Sequence, residues 1–137
     1  MKTFFKHDMV SRREQKHAAA LEHAANLRQW DAEIDRRDGR RCRACGRQSH
    51  PEKTGLLERG HRHHIVYRSA GGSDEPFNRV TLCSACHDGE HRNLLRFTHD
   101  GDHRQVNANQ PMEFYRRAQG HWYLSRRELA IHLVEKD

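Results

Sequence analysis

The chain lacks any long apolar segment. No stretch approaches the roughly 18 apolar residues that a membrane-spanning helix needs. Met1–Phe5 resembles the start of a signal peptide, but Lys6, His7 and Asp8 follow before a hydrophobic region develops. We therefore expect a cytoplasmic protein with no membrane partner.

Apolar residues, repeats and linkers are also scarce. Only 34% of the 137 residues are hydrophobic, and the mean hydropathy is −1.12. No internal repeat and no Pro- or Ser-rich linker divides the chain. We expect one domain over residues 1–137, whose thin core needs a metal or a disulfide as a staple.

Positive charge is in excess. The chain has 25 Lys and Arg residues against 19 Asp and Glu, which gives a formal net charge of +6. Such a balance favours a polyanionic partner, because binding to phosphates releases counterions. Solubility alone explains a basic composition equally well, so DNA is at this point one of two interpretations.

The N-terminal part of the chain predicts a helix. No Gly or Pro occurs from Ser11 to Arg37, Ser11 and Glu14 form a plausible capping box, and Gly39 supplies a stop. The helix is either packed with a solvated basic face or in contact with DNA phosphates. Its predicted apolar stripe comprises Ala20, Ala24, Leu27, Trp30 and Ile34.

Strand and helix signals alternate through the rest of the chain. Residues 55–67 and 80–82 predict strands, and 84–97 predict a helix despite Gly89. The C-terminal part predicts an irregular hairpin, followed by a short helix with Ser125 and Glu128 as a capping box. These elements indicate the α+β class.

Four cysteines form two pairs of identical spacing, Cys42-x-x-Cys45 and Cys83-x-x-Cys86. Four thiolates from two such pairs form the closed tetrahedral site of a structural zinc ion (Zn²⁺). Thiols stay reduced inside cells, which argues against disulfides. Four unrelated buried or redox thiols are the alternative, but they do not explain the matched spacing.

Histidines form a second candidate site. His87 and His91 are four residues apart on the predicted helix, so they share one face and can bind one metal. His87 follows Cys86 directly and therefore points about 100° away from it. One helix could thus serve two metal sites.

A histidine cluster precedes the loop at 69–78. Neighbouring residues of a regular strand point to opposite faces, so His63 and His64 can serve one site only at a strand end or a bulge. His61 would share a face with His63, which makes it the alternative ligand.

A long ordered pattern joins these histidines to the second cysteine pair. It runs His63-His64-Ile65-Val66-Tyr67-Arg68-Ser69-Ala70-Gly71-Gly72-Ser73-Asp74, then Asn78, then Leu82-Cys83-Ser84-Ala85-Cys86-His87, and finally His91. This pattern resembles the HNH nuclease family, above all its zinc-stapled, often phage-encoded members. The resemblance covers Arg40 to Asn93, under half of the chain.

The resemblance implies a role for each matching residue. His64 matches the general base of the family, and Asn78 the middle asparagine, which would brace the loop and orient His64 by hydrogen bonding. His63, His87 and His91 match metal ligands, although many members have aspartate at the first position. Imidazole ligands suit Zn²⁺, Ni²⁺ or Co²⁺ better than Mg²⁺, with Mn²⁺ a further candidate.

The resemblance also implies the architecture. We expect a ββα-metal (HNH/His-Me) finger stapled by the four-cysteine zinc site, with an N-terminal helix and a C-terminal β/α appendage. The expected segments are 1–39 for the helix, 40–98 for the zinc-stapled module, and 99–137 for the hairpin and short helix.

The predicted function is metal-dependent DNA endonuclease, by nicking or by double-strand cleavage. Candidate phosphate contacts are Arg62, Arg68 and Arg79, each of which could instead be a solvated charge. One alternative is a non-catalytic zinc module that binds nucleic acid or protein. Another is a nuclease that serves a phage packaging complex with a terminase. Either a bacterial or a phage origin fits the chain.

Overall fold

The computed structural model describes residues 2–48 and 60–131, with side chains from Ser11 onward. Small antiparallel sheets and helices make up these residues, which confirms the α+β class. Their elements are α1 (Lys2–Asp38), β1 (His61–His64), β2 (Arg79–Leu82), α2 (Ser84–His91), β3 (Leu95–Arg96), β4 (Glu113–Ala118) and β5 (His121–Arg127).

The N-terminal helix is confirmed but is longer than predicted. Helix α1 has 37 residues and begins at Lys2, so Ser11 lies inside it and the predicted capping box there is wrong. It ends where Gly39 adopts a φ of +62°, in the left-handed region that glycine tolerates best. Ile34 is buried and Trp30 half-buried, whereas Ala20 is exposed. Ala24 and Leu27 are half-buried too, so the whole predicted stripe except Ala20 packs at least partly against the protein.

A two-stranded sheet and a helix follow in order, as expected for a ββα unit. Strands β1 and β2 pair antiparallel, with His63 opposite Val80 and His64 opposite Arg79. The first strand is shorter than predicted, and residues 55–59 of the prediction lie outside the described residues. Helix α2 begins directly after Cys83, whose Sγ accepts a hydrogen bond from the backbone N–H of Cys86 at 3.5 Å.

Helix α2 ends earlier than the sequence predicts. It stops at His91, and Asn93 adopts a left-handed φ of +58°. Leu95 and Arg96 then pair with β4 as a strand. The prediction that the helix continues to Phe97 is therefore wrong, because backbone pairing with a distant strand outweighs the local pattern.

The C-terminal part forms a three-stranded antiparallel sheet in the order β3-β4-β5. The predicted hairpin is confirmed, but the predicted helix beginning at Ser125 is wrong. Ser125 lies within β5, and the Glu128 carboxylate accepts hydrogen bonds from Arg43 and from the Met112 backbone instead of capping a helix. Residues 132–137 of that prediction lie outside the described residues.

The apolar core joins the two sheets and is small. Its fully buried side chains include Ile65, Leu82 and Phe114, with Cys42 and Cys86 beside them. Among the described residues, no helix combines the length and the hydropathy required to cross a membrane.

A buried ionic network ties the end of α1 to the ββα unit. The Asp38 carboxylate accepts hydrogen bonds from Arg37 at 2.7 and 3.0 Å, and from the backbone N–H of Thr81 at 3.0 Å. Arg37 also donates to the backbone oxygens of Pro76 at 2.6 Å and Arg79 at 2.5 Å. One side chain thus fixes α1 to β2 and to the loop before it.

Arg43 extends this network to the C-terminal sheet. Its guanidinium approaches Asp38 at 3.5 Å and binds Glu128 at 2.6 Å. It also donates to the backbone oxygen of Ala108. Each buried charge therefore has an opposite charge and several hydrogen bonds, as burial requires.

We predict that Arg37→Ala lowers the free energy of unfolding by about 3 kcal/mol or more, because Asp38 and two backbone oxygens lose their partner inside the protein. The neighbouring exposed Arg36→Ala should change it by less than about 0.5 kcal/mol. Urea denaturation followed by circular dichroism measures both values. Equal effects of the two substitutions would contradict the structural role of Arg37.

Candidate metal centres

The four cysteines come together although Cys83 follows Cys42 by 41 positions in the chain. Their sulfur atoms all lie within 4.8 Å of one another. Cys42 and Cys45 lie in the turn at residues 42–46, which we call the first cysteine knuckle. Cys83 and Cys86 lie at the start of α2. The backbone at each cysteine pair therefore brings all four sulfur atoms into one cluster.

The sulfur spacing fits a tetrahedral metal ion. The Sγ atoms of Cys45 and Cys83 are 3.7 Å apart. Four sulfurs at the usual zinc distance of about 2.3 Å form a tetrahedron with edges of about 3.8 Å. The cluster could therefore hold zinc without rearrangement of these two side chains.

Protonation differs among the four thiols. The hydrogen bond to Cys86, together with burial, raises the pKa of Cys42 to about 12. The same hydrogen bond, helped by the guanidinium of Arg116, lowers the pKa of Cys86. A metal ion that binds all four as thiolates therefore has to displace protons, as is general for cysteine sites.

Arg116 of β4 reaches this cluster from the C-terminal sheet. Its Nη2 atom lies 3.1 Å from Sγ of Cys86, and its Nε atom donates to Oγ of Ser125 at 3.2 Å. A guanidinium beside four thiolates offsets part of their negative charge. The C-terminal sheet thus takes part in the cysteine site electrostatically.

Three histidines form a second cluster. Ligand atoms of His63, His87 and His91 all lie within 4.8 Å of one another. The Nε2 atoms of His87 and His91 are 3.2 Å apart, close to the edge of about 3.3 Å expected for two nitrogens on one metal ion. The alternative ligand His61 is outside this group and stacks on His87, with ring centroids 4.3 Å apart.

His63 is buried and has an incompletely satisfied nitrogen. Its Nε2 atom lies 3.0 Å from Oε2 of Glu90, but is not aligned for a hydrogen bond with any described residue. Oε2 of Glu90 also accepts a hydrogen bond from the Tyr67 hydroxyl at 2.7 Å. Although burial opposes ionisation, the contacts with His63 and Tyr67 lower the pKa of Glu90. A buried imidazole beside a carboxylate suits a metal ligand with its usual acidic partner.

The environment keeps His87 neutral. Burial, together with the positive charge that His61, His63 and His91 would carry, lowers its pKa to about 4. A neutral imidazole is the form that binds a metal ion. The donor set therefore fits a divalent cation.

His64 lies at the end of β1, beside the cluster. Its Nε2 atom is 2.7 Å from Oδ1 of Asp74, which also accepts a hydrogen bond from Arg68 at 2.8 Å. The second carboxylate oxygen is 3.3 Å from Nε2 of His23 on α1. Although burial opposes ionisation, the hydrogen bonds from His64 and Arg68 lower the pKa of Asp74 to about 2.

The loop that returns Asp74 to His64 depends on two glycines. Gly71 has a φ of +86°. A Cβ on Gly72 would lie 1.8 Å from the backbone oxygen of Val66. Any side chain at this position would therefore displace the loop that carries Asp74.

Asn78 braces the same loop. Its side chain accepts a hydrogen bond from the backbone N–H of Val66 at 2.9 Å and donates to the backbone oxygens of Val66 at 3.0 Å and Ser73 at 2.7 Å. The expected hydrogen bond to His64 is not among its contacts with the described residues. Asp74 occupies that position instead, so Asn78 orients His64 only through the backbone.

The three candidate arginines differ in accessibility. Arg68 is 63% exposed beside Asp74. Arg62 is held by Asp35 of α1 at 3.0 Å. Arg79 is buried and lies 2.9 Å from Asp31. The expectation that Arg79 contacts phosphate is therefore not supported by its position.

One cavity of about 210 Å³ joins the candidate residues. His63 and His64 both line it. His64 is the last residue of β1, where side chains need not alternate between the two faces of the sheet. The remaining lining residues are Arg62, Tyr67, Arg68, His87 and His91. The arrangement places a histidine–aspartate pair and a cluster that could hold a metal ion in one cleft.

Sequence reasoning missed three residues of these sites. Asp74 belongs to a stretch interpreted only as a loop, Glu90 lies between helix residues, and Arg116 lies on a distant strand. The position of Glu90 directly before His91 was the one local signal available. The other two contacts depend on chain segments that meet only in the folded protein.

Residues 42–93 match a family model described as HNH endonuclease. The matched segment contains both cysteine pairs and the histidine cluster, and it confirms the resemblance seen in the sequence. No curated protein and no solved structure matches the chain. This match over residues 42–93 supports a nuclease-type function on nucleic acid.

We predict that Arg116→Ala releases zinc from the reconstituted four-cysteine site to a chelator at least about tenfold faster, because the thiolates lose a neutralising partner. Arg117→Ala is the matched control, since this neighbouring arginine is exposed. Release can be followed with a colorimetric zinc indicator. Equal release from the two variants would contradict a role for Arg116 in metal retention.

Proposed function

We propose that the HNH domain hydrolyses phosphodiester bonds in DNA, with His64 as the general base. The single observation that carries this proposal is the shared cleft. His64, with its carboxylate partner Asp74, lines the same cavity as the cluster of His63, His87 and His91. Hydrolysis needs both a proton acceptor and a stabiliser of phosphoryl charge, and this cleft supplies candidates for each.

His64 is prepared to accept a proton. The Asp74 carboxylate, whose pKa is about 2, is ionised at neutral pH and can only accept hydrogen bonds. Nε2 of His64 therefore carries the proton in their contact. This tautomer leaves a lone pair on Nδ1, which can take a proton from an attacking water.

The three-histidine cluster would hold the catalytic divalent metal. Such a cation polarises the phosphoryl group and stabilises the departing 3′ oxygen. The all-imidazole donor set favours Zn²⁺, Ni²⁺ or Co²⁺, with Mn²⁺ next and Mg²⁺ last. Oε2 of Glu90 lies 3.0 Å from Nε2 of His63, and the Tyr67 hydroxyl donates a hydrogen bond to the same oxygen.

The four-cysteine cluster would hold a structural zinc ion. Four sulfur ligands leave no open position for substrate, so this ion stabilises the fold and does not react. Its second pair of ligands begins α2, the helix that presents His87 and His91. The structural ion would therefore position the catalytic one.

Arg68 is the favoured phosphate contact of this cleft. It is largely exposed, and its hydrogen bond to Asp74 leaves other guanidinium nitrogens free to bind a phosphate. Arg62 has a more restricted side chain because of Asp35 and would serve as a second contact. Both line the cleft with His64.

We predict that the chain nicks or linearises supercoiled plasmid when supplied with one of Mg²⁺, Mn²⁺, Ni²⁺, Co²⁺ or Zn²⁺. His64→Ala should lower the rate by at least about 100-fold, the usual contribution of a general base. Agarose electrophoresis with each metal separately gives the rates.

His121→Ala is the matched control for this experiment, because His121 is exposed on β5 and outside the cleft. It should cleave as fast as the unchanged chain. Absence of cleavage with every metal, in a folded protein that retains one zinc, would favour the non-catalytic zinc module.

We predict that Asp74→Asn lowers kcat by about 10- to 100-fold with little change in KM. The amide preserves the size of the side chain but removes the charge that orients His64. Asp100→Asn, in an exposed loop, is the control and should leave both constants unchanged. A change confined to KM would indicate that Asp74 serves substrate binding and not the base.

A further inference from the structure

A second cavity, of about 330 Å³, lies at the C-terminal end of α1. The first cysteine knuckle and the residues that follow β5 form its other walls. Five arginines line it: Arg36, Arg37, Arg41, Arg43 and Arg126. We name this cavity the arginine groove.

Two of these arginines are already neutralised. Arg37 pairs with Asp38, and Arg43 pairs with Glu128. Both carboxylates are also committed to backbone N–H groups, that of Thr81 for Asp38 and that of Met112 for Glu128. The two acidic residues of the groove therefore have little capacity to neutralise its other charges.

The other three arginines differ from these two in their surroundings. Within the part of the chain that the structure describes, Arg36, Arg41 and Arg126 have no carboxylate partner. Arg41 donates only to neutral acceptors, the backbone oxygen of Gly46 at 3.4 Å and the side chain of Gln48 at 3.3 Å. All three are exposed. A concave surface with three unpaired guanidinium groups concentrates a positive potential that attracts phosphate.

The groove and the cleft lie along the same helix. His23 of α1 contacts Asp74 beside the general base, and Arg36 follows thirteen residues later. At 1.5 Å per residue, this separation is about 20 Å along the helix. Arg62 of the cleft also binds Asp35, the residue before Arg36, at 3.0 Å. The cleft and the groove therefore both adjoin the C-terminal part of α1.

We propose that the arginine groove binds the sugar–phosphate backbone of the same DNA molecule that enters the cleft, beyond the nucleotides at the site of cleavage. This inference rests on the proposed function, because it takes the substrate from it. Contacts with phosphate carry no sequence information, so the groove adds affinity and orientation without selecting a sequence.

The test compares Arg36→Gln/Arg41→Gln/Arg126→Gln with the unchanged groove, both in the inactive His64→Ala background. Binding to a 30-base-pair duplex is measured by fluorescence anisotropy at several salt concentrations. The triple variant should bind at least about tenfold more weakly, and the salt dependence should fall by about 0.9 for each phosphate that the groove no longer neutralises. Thermal unfolding verifies that both proteins are folded.

Arg126→Gln and Arg117→Gln form the matched pair of single variants. Both arginines are exposed residues of the C-terminal hairpin, but only Arg126 lines the groove. Arg126→Gln should weaken binding and Arg117→Gln should not. Equal losses of duplex affinity in the two variants would show that only the net charge of the protein matters, and would overturn the proposal.

A small substrate separates this proposal from the proposed function. Bis(p-nitrophenyl) phosphate is too short to reach from the cleft to the groove. In the active background, the triple variant should hydrolyse it at the normal rate while losing affinity for the duplex. Normal duplex binding together with hydrolysis of the small ester would overturn the groove and leave the nuclease proposal intact. Neither binding nor hydrolysis by the unchanged chain would overturn both.

Discussion

The buried carboxylate of Asp38 and its two arginines hold together parts of the chain that have little apolar surface to share. Arg37 ties α1 to β2 through backbone oxygens, and Arg43 ties the first cysteine knuckle to the C-terminal sheet through Glu128. An ionic centre of this kind requires every partner to be in place, because an unpaired buried charge is costly. The position of α1 against the cleft, and of the knuckle against α2, both depend on this arrangement.

Helix α2 places two kinds of chemistry within eight residues. Cys86 faces the sulfur cluster, and the next residue, His87, faces the histidine cluster. Successive residues of an α-helix are rotated by about 100°, so one helix can present side chains to both clusters. Arg116 adds a link from the C-terminal sheet, since it contacts Cys86. Residues from the N-terminal helix and from the C-terminal sheet thus contact the two sites. The family match covers only the middle of the chain.

Local spacing explains which features the sequence could predict. Both cysteine pairs, and His87 with His91, lie within one turn of backbone, so their grouping follows from helix and knuckle geometry. Arg116 contacts Cys86 across 30 positions of the chain, and nothing in its neighbourhood marks that target. Asp74 reaches His64 only because the loop between them turns back, which the local pattern does not reveal. The errors at the ends of elements have the same origin. Leu95 and Ser125 lie in segments that resemble helices, but pairing with β4 makes both segments strands.

The histidine cluster combines side chains from β1 and from α2, with His63 and His91 separated by 28 positions. These side chains meet only after both strands have paired and α2 has formed. A chain still emerging from the ribosome therefore carries no assembled cluster. Any chemistry that depends on this cluster must therefore wait until folding is complete.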